Sequence, residues 1–399
     1  MNKIKTKDTI VNVFVGLSSI ITIVALAIIF GYVFTQGKDL ISFDLITKDY
    51  HARNYVAVIE NDTNQTFEMP SFDDEQVYVS SRYGIALIQS QDLAGDSVIK
   101  VAYIDENSPF TTMINQDPSK AQISLEEDAV VSRITYVNHP SSLTNKGAQM
   151  MINDLNDPER EIFEVMFATT GGGIRGSIIT TLYLILLTLA VALPIGVLSA
   201  IYFNEFAKKT KLTKVLRNFV ETLTGVPSII YGLLGISVFV PLTMRFTPAS
   251  GSNLIAGALT LGVILLPTII RTTEESLKTV SDDHRFASLA LGANKTQTTF
   301  KVVLPQALPG ILTATFLGIG RIIGESAALI FVLGAAIKDQ VRILEPSTSL
   351  AVHIWSMMTD EPANIALSSS IALIILLIVL VLNIIIKLIA SMWLKKGQV

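Results

Sequence analysis

The sequence predicts a mainly α-helical membrane protein with a β-rich domain inserted after its first span. Three observations predict it. Half of the 399 residues are hydrophobic, only 16% are charged, and the mean hydropathy is +0.51. Apolar runs recur at roughly the 20-residue length that a helix needs to cross a bilayer. Between the first and second of these runs lies a polar stretch with the composition of an ordinary soluble domain. Cysteine is absent, which excludes a disulfide framework, thiol catalysis and thiolate metal sites.

The first run, Ile10 to Phe34, follows Lys3, Lys5 and Lys7. It is too long for the apolar part of a secretion signal, and no small-residue cleavage site follows it. Residues 1–35 are therefore expected to be a head and an uncleaved first span. Residues 36–170 hold β-branched and aromatic runs divided by Asn, Asp, Gly and Pro, a strand-and-turn pattern. Strands are expected at Tyr55–Ile59, Gln76–Ser80, Ile85–Ile88, Ser97–Tyr103 and Val130–Val137, with a helix near Asp157–Phe167. Gly171-Gly172-Gly173 is expected to be a flexible junction. Residues 171–399 then supply five spans, at Gly176–Phe203, Phe219–Met244, Asn253–Ile270, Gly310–Ala336 and Ala366–Trp393.

Charge sets the orientation. Residues 36–170 carry 22 acidic and 9 basic side chains, and the remainder carries 12 acidic and 21 basic. Lys208, Lys209, Lys211, Lys214 and Arg217 fill the loop after the second span, and Lys387, Lys395 and Lys396 mark the tail. Basic loops stay in the cytoplasm. The termini and the second and fourth loops are thus expected on the cytoplasmic side of the membrane. Residues 36–170 and about 337–364 are expected outside. The basic loop could also attract anionic lipid, and topology alone explains it equally well.

The fourth loop, 271–305, is long for such a connection. Ser281-Asp282-Asp283 can cap a helix that stops at Gly292, and Asn294 with Gln297 can open a second. Helix pattern alone leaves two readings, a connector or a docking surface. The spacing of Phe286-Ala287-Ser288, Gly292 and Val302-Val303-Leu304-Pro305 resembles the EAA loop of ABC-importer permeases, which the ATPase subunit grips. The resemblance assigns Phe286, Ala287, Ser288, Gly292, Leu304 and Pro305 to ATPase coupling. Phe286 stands where the family has Glu, so the grip is expected to rest on the shape around Gly292.

Gly225-Val226-Pro227-Ser228-Ile229-Ile230-Tyr231-Gly232-Leu233 and Gly320–Ile330 resemble phosphate-importer permeases, and Leu350–Trp355 resembles the PstA-type subunit. The resemblance covers about 170–395; residues 36–170 lie outside it. It implies six spans of the type I, MetI-like importer fold, an ABC ATPase dimer, a PstC-like second permease chain and an external phosphate-binding protein. ATP and Mg would be bound in the ATPase. This chain has no Walker-type phosphate loop, so no enzymatic activity and no cofactor of its own are expected. Its surroundings would be the lipid bilayer, with no nucleic acid.

Arg321 and Glu325 are the charged residues of the fifth span. Charge at that depth costs about 2.5–3.5 kcal/mol, so both should face the bundle interior or a water-filled route. Their i, i+4 spacing would put them on one helix face. A guanidinium fork matches two phosphate oxygens, and Ser326 adds a hydroxyl. A buried pair that only fixes packing is the competing reading. Two alternatives to phosphate import stand: a permease for another oxyanion such as molybdate or sulfate, and a sensor or scaffold whose external domain binds ligand. His51, His139, His284 and His353 lack metal-ligand spacing and are expected at surfaces or interfaces. The sequons at Asn61 and Asn64 match by chance in an Asn-rich loop.

Overall fold

The computed structural model describes residues 2–59, 66–72, 76–91, 97–118, 120–169, 171–208, 210–359 and 363–396. The two sequons, Lys209 and the side chains of Lys395 and Lys396 lie outside the described residues. The chain forms two compact units, Lys48–Gly173 and Met1–Thr47 with Ile174–Val399. The helical unit opens with α1 (Asn2–Gly37) and the short α2 (Phe43–Thr47). It claims residues up to 47 because Leu45 is buried and its carbonyl accepts the Ile174 N–H at 2.8 Å.

The second unit is a nine-stranded antiparallel sheet. Its strands are β1 (Asn54–Ile59), β2 (Val77–Ser80), β3 (Ile85–Gln91), β4 (Ser97–Ile104), β5 (Met113–Asn115), β6 (Gln122–Ile123), β7 (Val130–Tyr136), β8 (His139–Leu143) and β9 (Ile162–Ala168). The order is β2-β3-β4-β7-β9-β1-β5-β6, with β8 paired to β7. All five expected strands are present. The expected helix at Asp157–Phe167 is not. The helix is α3 (Ala148–Asn156), which buries Ala148, Met151, Ile152 and Leu155 at helical spacing. Ile162–Ala168 is instead a central strand, paired to β7 on one edge and β1 on the other. Pairing on both edges satisfies backbone groups there that a short isolated helix would leave free at its ends.

Tyr83, Phe110 and Phe167 centre the core of this unit; burying each such side chain stabilises by about 1.5–3 kcal/mol. Beside it, Ser142 Oγ lies 2.5 Å from Asp154 Oδ2 and 3.2 Å from the Tyr136 hydroxyl. Arg160 pairs with Asp154 at 2.8 Å and stands over the Tyr136 ring. Burial pushes the Tyr136 phenol up to about 12. The glycines expected as a flexible junction are hydrogen-bonded within the β-rich unit. Gly172 N–H bonds Tyr50 O at 2.8 Å and Gly173 N–H bonds Asp49 O at 3.0 Å. A Cβ on Gly173 would lie 2.0 Å from Lys48 O.

The remaining helices are α4 (Arg175–Ile201), α5 (Lys211–Thr224), α6 (Ser228–Leu234), α7 (Val240–Phe246), α8 (Leu254–Thr279), α9 (Asp282–Ala290), α10 (Lys295–Thr298), α11 (Leu304–Gly324), α12 (Ala327–Leu333), α13 (Leu350–Thr359) and α14 (Ile365–Lys396). Among the described residues, six helical stretches are long and apolar enough to span a membrane: 12–40, 175–206, 228–246, 254–279, 295–324 and 365–388. Leu184 on α4 packs with Leu261, Leu265 and Ile269 on α8, and Ile322, Ile323 and Leu329 complete that core.

Expected boundaries move in the third, fourth and fifth spans. The third span begins at Ser228, because residues 211–224 form a separate amphipathic helix ahead of the Gly225–Pro227 break. The fourth span runs on to Thr279, so the 271–305 loop starts inside α8. The fifth span ends at Gly324, and Glu325 is extended (φ −80°, ψ 117°) before α12 begins. His353 is fully buried, not at a surface; its Nδ1 lies 2.8 Å from Ser177 Oγ.

Candidate functional site

Two places in the helical unit gather the residues that the sequence singled out. The first is the α9 prong. Ser281 Oγ accepts the Asp283 N–H at 3.3 Å and starts the helix. At the other end Gly292 N–H bonds Leu289 O and Ala293 N–H bonds Ser288 O. That pair of bonds is the Schellman arrangement, and it needs a left-handed residue at Gly292, where φ is +86°. Asn294 and Gln297 then cap α10 reciprocally, at 2.8 and 3.0 Å. Leu304-Pro305 does not end this segment. The π-helical turn Thr299–Val303 carries α10 straight into α11, and Pro305 sits in the first turn of α11, where its missing N–H is tolerated.

No residue of α9 is buried. Phe286 is 65% exposed and Leu291 90% exposed; Ala287 is exposed as well. Ser288 is half-buried, its Oγ 3.0 Å from Thr298 Oγ1. The prong therefore presents apolar side chains outward and is held from behind.

Arg285 does the holding, and sequence reasoning missed it. Its guanidinium donates to Leu277 O at 2.8 Å, in the last turn of α8, and to Val280 O at 2.6 Å, just past its end. It also donates to Asp282 Oδ1 at 3.2 Å and to Glu205 Oε1 at 3.0 Å. The Arg285 and Glu205 side chains are 16% and 9% exposed. A second bridge lies nearby: Arg217 donates to Glu274 Oε2 at 2.9 Å and to Phe203 O at 2.8 Å. Lys295 stands 5.4 Å from the Phe206 ring centroid. Arg285 thus ties the prong to the ends of α4 and α8, and Arg217 ties α5 to the same ends. The only signal in the sequence was an Arg beside the apolar triplet; its partner lies 80 positions away.

The second place is the break in the fifth span. The two glycine-containing signatures meet here: Gly232 of α6 lies so close to α12 that a Cβ would come within 2.9 Å of Ala328 Cα. Tyr231 is buried, and its hydroxyl donates to Leu223 O at 2.7 Å. Arg321 occupies the last turn of α11 and is exposed on the face of the unit. Among the described residues it has no carboxylate within ion-pair distance. The expected Arg321–Glu325 pairing along one helix face does not form, because the helix ends between them. Glu325 turns to α12 instead, and its Oε1 accepts the Ala328 N–H at 3.2 Å. That bond satisfies one of the free donors exposed by a broken helix. Ser326 lines a cavity of about 420 Å³ with Ile29, Phe30, Ile354 and Ile375, an apolar setting. The structure thus brings Arg321, Glu325 and Ser326 to one break but gives each different neighbours.

Residues 192–393 match the family model of the binding-protein-dependent transport system inner membrane component. A probable ABC transporter permease protein of Bacillus subtilis, YqgI, is 34% identical over 241 residues, covering 57% of this chain and 80% of the relative. The phosphate transport system permease protein PstA of Yersinia pestis is 34% identical over 224 residues, 55% of this chain and 73% of its own. The PstA homolog of Mycoplasma pneumoniae is 36% identical over 198 residues, 49% of this chain, and the match spans 30% of that longer relative. Among solved structures, an inward-facing MetNI methionine ABC transporter is 23% identical with a TM-score of 0.44, over 55% of this chain and 95% of that one. The chain belongs to the binding-protein-dependent transport system inner membrane components: it is a membrane-spanning ABC permease subunit and not an enzyme.

Proposed function

We propose that this chain is the PstA-type permease subunit of an ATP-driven importer of inorganic phosphate. Relatives from Yersinia pestis and Mycoplasma pneumoniae carry that name. The observation that carries the reading is Arg321, an exposed guanidinium with no carboxylate in reach among the described residues, at a helix break in a membrane span. Irregular backbone at membrane depth is tolerated where it lines a water-filled route or is covered by protein. A planar fork of donors suits two phosphate oxygens. Glu325 lies four residues on, and its negative charge would keep the anion from being held too tightly. Ser326 would add a neutral hydroxyl.

In this reading a PstC-like second permease chain faces Arg321 and completes the route. An ABC ATPase dimer, which binds ATP and Mg, grips Phe286, Ala287, Ser288 and Gly292, with Leu304 and Pro305 carrying the motion into α11. An external phosphate-binding protein delivers the anion. The termini are cytoplasmic, and the β-rich unit Lys48–Gly173 is extracytoplasmic. Alternating access moves the spans around the break. Phosphate uptake by the reconstituted complex tests this. Arg321→Ala should abolish uptake while the ATPase still co-purifies, and normal uptake by that variant sinks the proposal. Competition by molybdate or sulfate stronger than that by phosphate would reassign the cargo.

A further inference from the structure

Helix α5 is attached to the membrane spans by very short tethers. Residues 207–210 join it to the end of the second span, and residues 225–227 join it to the third. Its 14 residues make a rod about 21 Å long. With tethers of three or four residues, that rod cannot leave the membrane surface.

Its rotation is also fixed. Arg217 is bonded inward to Glu274 and Phe203, and Val220 packs against the buried cluster that contains Ile270 and Leu277. At about 100° per residue, Leu212, Val215, Leu216 and Phe219 share an arc of about 100°, centred roughly 150° away from Arg217. That stripe points out of the unit. Phe219 is 65% exposed and Leu212 68% exposed, and no residue of α5 is buried. Lys211 and Lys214 lie outside the arc, and Lys208 precedes the helix; all three are exposed.

We propose that α5 is an in-plane membrane helix. Its Leu212–Phe219 stripe sits at the boundary between headgroups and acyl chains, and Lys208, Lys211 and Lys214 bind anionic lipid phosphates. A continuous apolar stripe with lysines beside it is the pattern of an interfacial helix. Covering by another protein chain fits less well, because lysine is depleted from the desolvated centres of protein interfaces. Lipid phosphates can meet the ammonium groups without dehydrating them fully.

The cysteine-free sequence allows a direct test. Single reporters Val215→Cys and Phe219→Cys are placed in the stripe, and Asn218→Cys is placed outside it. The full chain with its co-purifying partners is reconstituted in bilayers of brominated phosphatidylglycerol. Bimane at 215 and 219 should lose about half or more of its emission to the bromolipid and little to aqueous iodide. Bimane at 218 should show the reverse. Lys208→Gln, Lys211→Gln and Lys214→Gln should each weaken the preference for phosphatidylglycerol over phosphatidylcholine by about fivefold. Stripe reporters quenched by iodide overturn the proposal. So do stripe reporters shielded from both quenchers and cross-linked to a partner chain. The readout is lipid contact, so it stands apart from the identity of the cargo.

Discussion

Arg285 and Arg321 belong to the same helical unit and are used in opposite ways. Arg285 is nearly buried and directs its donors at two carbonyls and two carboxylates. Arg321 is exposed, with no carboxylate in reach among the described residues. A guanidinium that is already saturated can only hold structure. One left open at a helix break is free to meet an anion. In the β-rich unit, Arg160 follows the first pattern, bonded to Asp154 and Asp157 and stacked over Tyr136.

Exchanging the two arginines for alanine tests that contrast hardest. Arg285→Ala leaves the Glu205 carboxylate, 9% exposed, without its cation. Breaking a buried pair from one side costs about 3–5 kcal/mol. Thermal denaturation in detergent should show that loss, together with loosened binding of the ATPase. Arg321→Ala should change stability by no more than about 0.5 kcal/mol, as surface substitutions do. Equal destabilisation by both variants would erase the distinction.

The β-rich unit offers a pH test of the saturated pattern. The Tyr136 phenol ionises at about 12 in the folded unit, against about 10 in an unfolded chain. Between those values the folded state keeps a proton that the unfolded state releases. The stabilisation is complete below pH 10 and is lost as pH rises towards 12, a change of about 2–3 kcal/mol. The ends of Lys48–Gly173 are bonded together, so the unit can be excised and unfolded by urea at pH 9 and pH 12. The pH dependence of wild type should exceed that of Tyr136→Phe by this amount; identical slopes would mean the burial is not felt.

What was legible in the sequence follows the range of the interactions. The caps at Ser281, Gly292 and Asn294–Gln297 are set within a few residues, and the structure forms all of them. The five strands read from alternation are present, whereas Asp157–Phe167 reads as helix in the sequence because the pairing of β9 with both β1 and β7 is not visible locally. Helix α5 was hidden by its lysines, although Leu212, Val215, Leu216 and Phe219 recur at helical spacing. The Arg285–Glu205 bridge could not be read at all, since it joins residues 80 positions apart. At the candidate site the residue types were legible. The pairing of Arg321 with Glu325 was not, because it assumed a helix that the Gly324–Ser326 break interrupts.

Gly292 separates shape from partner contact on the saturated side. Nothing lies within 4 Å of a Cβ built there, so the surrounding chain leaves room for one. The φ of +86° still costs an L-residue about 1–2 kcal/mol. Gly292→Ala should therefore lower the stability of the prong by that amount, and Gly292→Asn by less, because asparagine tolerates the left-handed region. Hydrogen exchange at Leu289–Ala293 measures it. If Gly292→Trp loses the ATPase while Gly292→Ala keeps it, the added loss belongs to the partner's surface.

The smallest expected effect lies at the open side. Glu325 Oε1 accepts the Ala328 N–H and thereby caps α12. Removing a cap acceptor costs about 1 kcal/mol. Glu325→Ala should show that loss, and Glu325→Gln, which keeps an acceptor oxygen, should show little of it. Transport separates the two roles further. If Glu325 only caps α12, Glu325→Gln imports phosphate at the wild-type rate. If its charge also offsets Arg321, the same variant should bind phosphate more tightly and release it more slowly, lowering turnover without destabilising the fold. Wild-type kinetics in Glu325→Gln would reduce Glu325 to a cap.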